Sequence, residues 1–179
     1  KRAAEGKNKA NSLWYWGAGT KPNLQNFQEM TGLSGAMVSA VDLLKGIAVG
    51  AGMEVYQVEG ATGSIDTNWE GKAQAAIDAL LRDGHDFVYI HLEAPDEMAH
   101  QGLTEEKVKS IEYLDSRIIA PVKQALEAAG EDYRLLLLPD HPNYIRLRTH
   151  VADPVPYVLY DSTCQRKSVA RYGETEARA

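Results

Sequence analysis

Cysteine is almost missing from this sequence. Its 179 residues include one, Cys164, which excludes an intrachain disulfide and a zinc site built on paired cysteines. That usage fits a reduced compartment, the cytoplasm. Long hydrophobic runs are missing too. The longest lies near Ile47 to Met53, is broken by glycines and falls far short of the ~20 apolar residues of a membrane span. Positive charge is in the minority, with 19 Lys plus Arg against 25 Asp plus Glu and a net charge of −6. Such a balance argues against broad nucleic-acid binding, which needs a basic face, and against a polybasic membrane contact. The opening Lys1-Arg2-Ala3-Ala4-Glu5-Gly6-Lys7 has basic residues with no apolar stretch behind them, so it is not a signal peptide. It also has no initiator methionine, which points to a processed or partial chain.

What remains is a globular composition, 44% apolar and 25% charged. The length suits a single domain spanning 1–179, which would bury roughly 70% of its extended-chain surface. Apolar periodicity alternates between strand and helix. Ser12 to Trp16 reads as a buried strand entering the Gly17-Ala18-Gly19 turn, with Trp14 and Trp16 in the core. Ala36–Ser39 reads as a strand, Val41–Gly50 as a helix and Glu54–Val58 as a strand. Thr67-Asn68-Trp69-Glu70 has the form of a capping box before a helix over Gly71–Leu81. Asp86–His91 follows as a strand. From Thr104 a long helix puts Val108, Ile111, Leu114, Ile118 and Ile119 on one face, with Pro121 bending or ending it and a second stretch stopping near Gly130. Tyr133–Leu138 reads as a strand buried on both faces, and Pro156–Tyr160 as a last short strand. Cys164–Ala179 is polar and reads as a frayed tail or an exposed helix. This order predicts an α/β fold with a mostly parallel sheet flanked by helices, and ligands bound beyond the carboxyl ends of the strands.

Four of the five histidines fall in those places. His85, in a helix-to-strand turn, reads as an exposed loop residue. His91 ends a strand. Asp96 and His100 stand at i and i+4, where a carboxylate and an imidazole can reach one ion from one helix face; the alternative is a capping Asp beside a surface His. Asp140-His141 directly follows the strand ending near Pro139. On extended backbone adjacent side chains point to opposite faces, so the two would serve one ion each, or one would support the other. His150 closes Arg148-Thr149-His150. The set Asp96, His100, Asp140, His141 and His150 mixes oxygen and nitrogen donors, which suits Mn²⁺, Zn²⁺ or Fe²⁺ better than Ca²⁺ or Mg²⁺. Five donors exceed a structural zinc site, and two ions about 3.5–4 Å apart are a recurrent device for phosphoryl transfer. Lys45 is either a phosphate or carboxylate contact or a solvated helix lysine. Arg148 either orients substrate or pairs with an acid. His91 and Glu93 are candidates for orienting the ligands.

The stretches ANSLWYWGAGTKP, SAVDLLKGIAVGAGM, EGATGSIDTN, HLEAPDEMAH, PDHP and RTHVADPVPY, running from Ala10 to about Tyr160, resemble the cofactor-independent phosphoglycerate mutases of the archaeal type, within the alkaline phosphatase superfamily. The resemblance implies two divalent metal ions, manganese or zinc, with Asp96, His100 and His150 on one and Asp140 and His141 on the other. It implies a small phosphorylated substrate, interconversion of 3-phosphoglycerate and 2-phosphoglycerate through a phosphoserine, and no need for 2,3-bisphosphoglycerate. In that family the nucleophilic serine and a further metal-binding Asp lie near the N-terminus, before an inserted domain. Ser12, Ser34, Ser39 and Ser64 do not match the nucleophile's context, so the chain is expected to be the C-terminal portion of the catalytic core and inactive alone. A homoserine kinase-like or phosphonate-processing phosphotransferase, or a metal-binding piece without catalysis, are the rival readings.

Overall fold

A computed structural model of the chain describes residues 1–15, 17–164 and 171–178. At its centre lies β1 (Gly35–Val38), paired in parallel with β2 (Glu54–Tyr56) on one side and β3 (Phe87–Ile90) on the other. Every residue of β1 is buried, as expected of a central strand covered on both faces. Gly35 opens it because nothing larger fits: a Cβ there would lie 2.8 Å from the Phe27 ring and 3.0 Å from Met53.

Helices make the connections. α1 (Phe27–Thr31) precedes β1 and is capped by Asn26, whose side chain accepts from the amides of Gln28 and Glu29. α2 (Asp42–Gly50) joins β1 to β2, and α3 (Trp69–Ile77), running on through a π turn (Asp78–Arg82), joins β2 to β3. After β3 come α4 (Ala94–Gln101), α5 (Thr104–Leu114), a second π turn (Asp115–Ile119) and α6 (Ala120–Ala129). β4 (Arg134–Leu137) pairs antiparallel with β7 (Val158–Asp161). Between them lies a small hairpin of β5 (Asn143–Tyr144) and β6 (Thr149–His150), and α7 (Glu174–Ala177) lies near the C-terminal end. The core joins Val38 of β1 to Trp69, Ala73 and Ala76 of α3, Ala94 of α4, Ile118 of the second π turn, and Val122 and Leu126 of α6.

The architecture is the mixed α/β arrangement that the alternation predicts, with several local differences. The parallel sheet has three strands, and β4 lies outside it in a separate two-stranded ribbon. That strand is not buried on both faces: it alternates, with Arg134 and Leu136 exposed and Leu135 and Leu137 half-buried. Leu13, Trp14 and Tyr15 form no strand and are exposed, Trp14 by 88%, because among the described residues no edge pairs with them; Trp16 lies outside the described residues. The cap of α3 falls one residue later than expected. Asn68 accepts from the Gly71 amide at 2.8 Å, while the Thr67 hydroxyl accepts from the Thr62 amide at 2.9 Å and closes the preceding loop. His85 is not an exposed loop residue, since its side chain is 14% exposed and its Nε2 lies 3.0 Å from Glu54. Of the polar C-terminal stretch, Gln165–Ala170 and Ala179 lie outside the described residues.

The helix from Thr104 buries only part of the face expected: Ile118 is buried and Leu114 packs against the core. Val108 and Ile111 are 52% and 51% exposed, and the inward row is Ser110, Ile118, Val122 and Leu126. Pro121 neither ends nor breaks the run. It occupies the first turn of α6, and the π turn just before it accommodates a ring that would otherwise clash with the carbonyl one turn back.

One buried ion pair fixes where α4 leaves the sheet. Lys72 is fully buried, and its Nζ donates to Glu93 Oε2 at 3.2 Å and to the Thr62 carbonyl at 3.1 Å. The other Glu93 oxygen accepts from the Ala40 amide at 3.2 Å and the Ser39 hydroxyl at 3.4 Å. Removing one partner strands a buried charge, so Lys72→Met should destabilise the fold by about 3–5 kcal/mol in denaturant unfolding, with part of the loss recovered when Glu93→Leu is added. A smaller effect from the single substitution than from the double would contradict this account.

Acid should loosen the β4–β7 ribbon. Hydrogen bonds from Thr163 and Arg134 depress the Asp161 carboxyl to about 2. Because its folded pKa lies below the ordinary value near 3.9, the stabilisation is complete above that value and is lost as pH falls towards about 2. Asp161→Asn should flatten the stability profile across this window, as read by melting temperature at stepped pH.

Candidate metal centre

α4 starts directly after β3 and projects Asp96 and His100 from one face, one turn apart. The β5–β6 hairpin brings His150 to the same place. His100 Nε2 lies 3.1 Å from Asp96 Oδ2, His150 Nε2 lies 3.1 Å from Asp96 Oδ1, and the two Nε2 atoms are 3.0 Å apart. One donor atom from each of the three residues falls within 4.8 Å of the others.

The hydrogen bonding makes this convergence chemically informative. His100 Nδ1 faces the carbonyl of Arg148 at 2.9 Å, and a carbonyl only accepts, so Nδ1 carries the proton. In the neutral ring Nε2 is then a bare lone pair, aimed at a carboxylate and at a second imidazole nitrogen. Such a set is matched by a cation placed among the donors, and two imidazoles with one carboxylate suit a transition metal.

Arg148 delivers its carbonyl at a conformational cost. Its φ is +54°, in the left-handed region that non-glycine residues rarely occupy, and its amide closes a turn onto the Tyr144 carbonyl at 2.8 Å. Its exposed side chain lies over Gly102, the left-handed residue that terminates α4.

Asp140 and His141 stand beside this group in a bend rather than on extended backbone. Their side chains therefore meet instead of pointing to opposite faces: His141 Nε2 lies 3.3 Å from Asp140 Oδ2, and the His141 amide donates to Asp140 Oδ1 at 2.9 Å. The His141 ring packs against His150, tilted by 31° with centroids 3.6 Å apart, and its Nδ1 is buried without a partner, 3.9 Å from Asp96 Oδ1. All five candidate ligands are thus brought into one region.

The remaining candidates make other contacts. Lys45 stands on α2 and pairs with Asp42 at 3.4 Å. His91 Nδ1 lies 3.2 Å from the Tyr89 hydroxyl, and the two rings stack. Burial pushes the Tyr89 hydroxyl pKa up, with the charges of Asp140 and Glu93 adding to it. The Glu93 carboxylate bonds to none of the five; its main-chain carbonyl accepts from the Asp96 amide at 2.9 Å, and the residue holds the start of α4. Two residues that the spacing did not single out also reach the site. Asn143 donates to Asp96 Oδ1 at 2.8 Å, and Lys107 donates to the Asn143 carbonyl at 2.7 Å, its pKa lowered by burial against the opposing pull of Asp96. The sequence signal available for Asn143 was its place two residues after His141.

A family model described as the metalloenzyme superfamily matches residues 6–178. The chain belongs to that superfamily. It is 50% identical over 177 residues to the 2,3-bisphosphoglycerate-independent phosphoglycerate mutase of Methanosarcina acetivorans, and 51% identical over 180 residues to a probable enzyme of the same name from Geobacter sulfurreducens. These alignments cover 99% and 100% of the chain but 44% of each relative, so it spans less than half their length. Among solved structures, the PH0037 protein from Pyrococcus horikoshii superposes with a TM-score of 0.76 at 33% identity, covering 86% of this chain and 45% of that one. A cofactor-independent phosphoglycerate mutase from Thermoplasma acidophilum, at 24% identity and a TM-score of 0.60, shares the fold; the match covers 87% of this chain and 34% of that one. No helix among the described residues is long and apolar enough to cross a membrane.

Gly102 offers a direct test of the local geometry. Its φ is +74°, and an added Cβ would lie 2.7 Å from the Arg148 guanidinium. Gly102→Ala should lower stability by about 1–2 kcal/mol through the backbone alone, measured by thermal melting. An unchanged melting temperature would show that α4 does not end as described.

Proposed function

We propose that this superfamily member forms part of a metal-dependent phosphoglycerate mutase interconverting 3-phosphoglycerate and 2-phosphoglycerate through a phosphoserine. The observation that carries this reading is the convergence of the His100 and His150 Nε2 atoms on the Asp96 carboxylate, in a chain half identical to enzymes of that name. Asp96, His100 and His150 would hold one divalent ion, and Asp140 with His141 the other. Manganese or zinc fits these mixed donors. Ions so held would activate a hydroxyl nucleophile and offset the charge of the phosphoryl oxygens.

The chain's own part is to fix these donors and to present the substrate. Arg148 positions His100 through its carbonyl, while its guanidinium and the Lys45 ammonium are the cations proposed to meet the phosphate and carboxylate. Four described serines have their hydroxyls engaged away from the cluster. Ser34 hydrogen-bonds to Asp86, Ser39 faces Glu93, and Ser110 and Ser116 donate to carbonyls of their own helix. The phosphoserine is therefore assigned to the part of the relatives' length that this chain does not span. The names of the relatives support a reaction independent of 2,3-bisphosphoglycerate.

His150→Ala in the complete enzyme should abolish mutase activity and reduce bound metal, measured by a coupled assay and elemental analysis. Normal activity with full metal content would refute the ligand assignment. A complete protein that binds metal yet leaves the phosphoglycerates unchanged would transfer the reading to a related phosphotransferase.

A further inference from the structure

Asn143 is the most deeply buried polar side chain touching the metal-site cluster, at 5% exposure. It opens β5 and pairs across the hairpin with His150. Its Nδ2 donates to Asp96 twice, to Oδ1 at 2.8 Å and to the main-chain carbonyl at 3.3 Å. Both partners are acceptors only, so the amide orientation is dictated: the nitrogen faces Asp96, and Oδ1 is left buried without a partner. A buried acceptor without a bond is costly, and a residue chosen for packing alone would avoid it.

The bond also has a geometric consequence. Asp96 Oδ1 is shared between Asn143 Nδ2 and His150 Nε2, while Oδ2 meets His100 Nε2. An amide anchored on Oδ1 sets the rotation of the carboxylate, and with it the direction of the remaining lone pairs. The Asn143 carbonyl is held in turn by Lys107 of α5. One side chain thus ties α4 to the hairpin that carries His150.

We infer that Asn143 is a positioning residue that orients the Asp96 carboxylate towards the ion shared with His100 and His150. This rests on the metal-site reading above. Removing a group that orients a ligand typically weakens metal binding by about 10–100-fold. Asn143→Leu keeps the branched heavy-atom skeleton and removes both the donor and the orphaned acceptor. The complete protein, stripped of metal, should bind Mn²⁺ at least about 10-fold more weakly when so altered, as titrated by electron paramagnetic resonance. Its metal-free melting temperature should not fall, and activity should recover at saturating Mn²⁺, which a merely structural lesion would not allow. Affinity within threefold of the unaltered protein would overturn the inference while leaving the metal site standing. Absence of Mn²⁺ and Zn²⁺ binding by the unaltered protein would overturn both. Should Asn143→Leu not fold, the unaltered protein provides the test: the assigned Asn143 side-chain amide resonance should shift on Zn²⁺ addition, and an unmoved resonance in metal-loaded protein would sink the idea.

Discussion

The placement of α4 depends on a charge that cannot reach water. Glu93 sits between the end of β3 and the first turn of α4, and its carboxylate is held by Lys72, Ser39 and the Ala40 amide. Taking both ions out of solvent is expensive, and their mutual attraction does little more than offset that cost. What the arrangement supplies is geometry. Four segments, the end of β1, the Thr62 loop, α3 and α4, must come together for either charge to be satisfied. Once they do, Asp96 and His100 have a fixed origin three and seven residues further on.

From that origin the site grows by contacts distant in sequence. α4 contributes two donors, and the hairpin contributes His150 from 50 residues beyond His100. The bend at Asp140 adds His141, packed against His150. Between these parts the contacts are polar: the Arg148 carbonyl on His100, Asn143 on Asp96, and Lys107 on Asn143. The Asp96 carboxylate and the bare Nε2 lone pair of His100 gain little from facing one another without a cation. An ion held there would therefore couple to docking of the hairpin, each favouring the other.

The candidate donors were legible in the sequence because their chemistry is local. Asp96 and His100 share a helix face by spacing alone, and Asp140-His141 follows an apolar run that could only be a strand. Helices with strong periodicity, such as α2 and α3, were equally readable. What escaped reading depended on tertiary context. Trp14 and Tyr15 look like core residues by composition, yet burial needs a partner surface that a hydropathy pattern does not describe. Leu135–Leu137 look doubly buried, yet β4 joined an antiparallel ribbon instead of the central sheet. Asn143 carries no motif of its own; its importance lies in what faces it across the fold.

The π turn at Asp115–Ile119 gives the long α5–α6 run a property that neither helix has separately. Residues four apart drift by about 40° per step on a regular α-helix, so the core row Ser110, Ile118, Val122 and Leu126 depends on the wider turn to stay in one stripe. The helix is in this sense counted as well as patterned. Losing a single residue from the wide turn would swing Val122 and Leu126 by about 100° and present their side chains to solvent, with every individual amino acid still suited to a helix. Among related chains, the length of this segment should therefore be held more tightly than its composition.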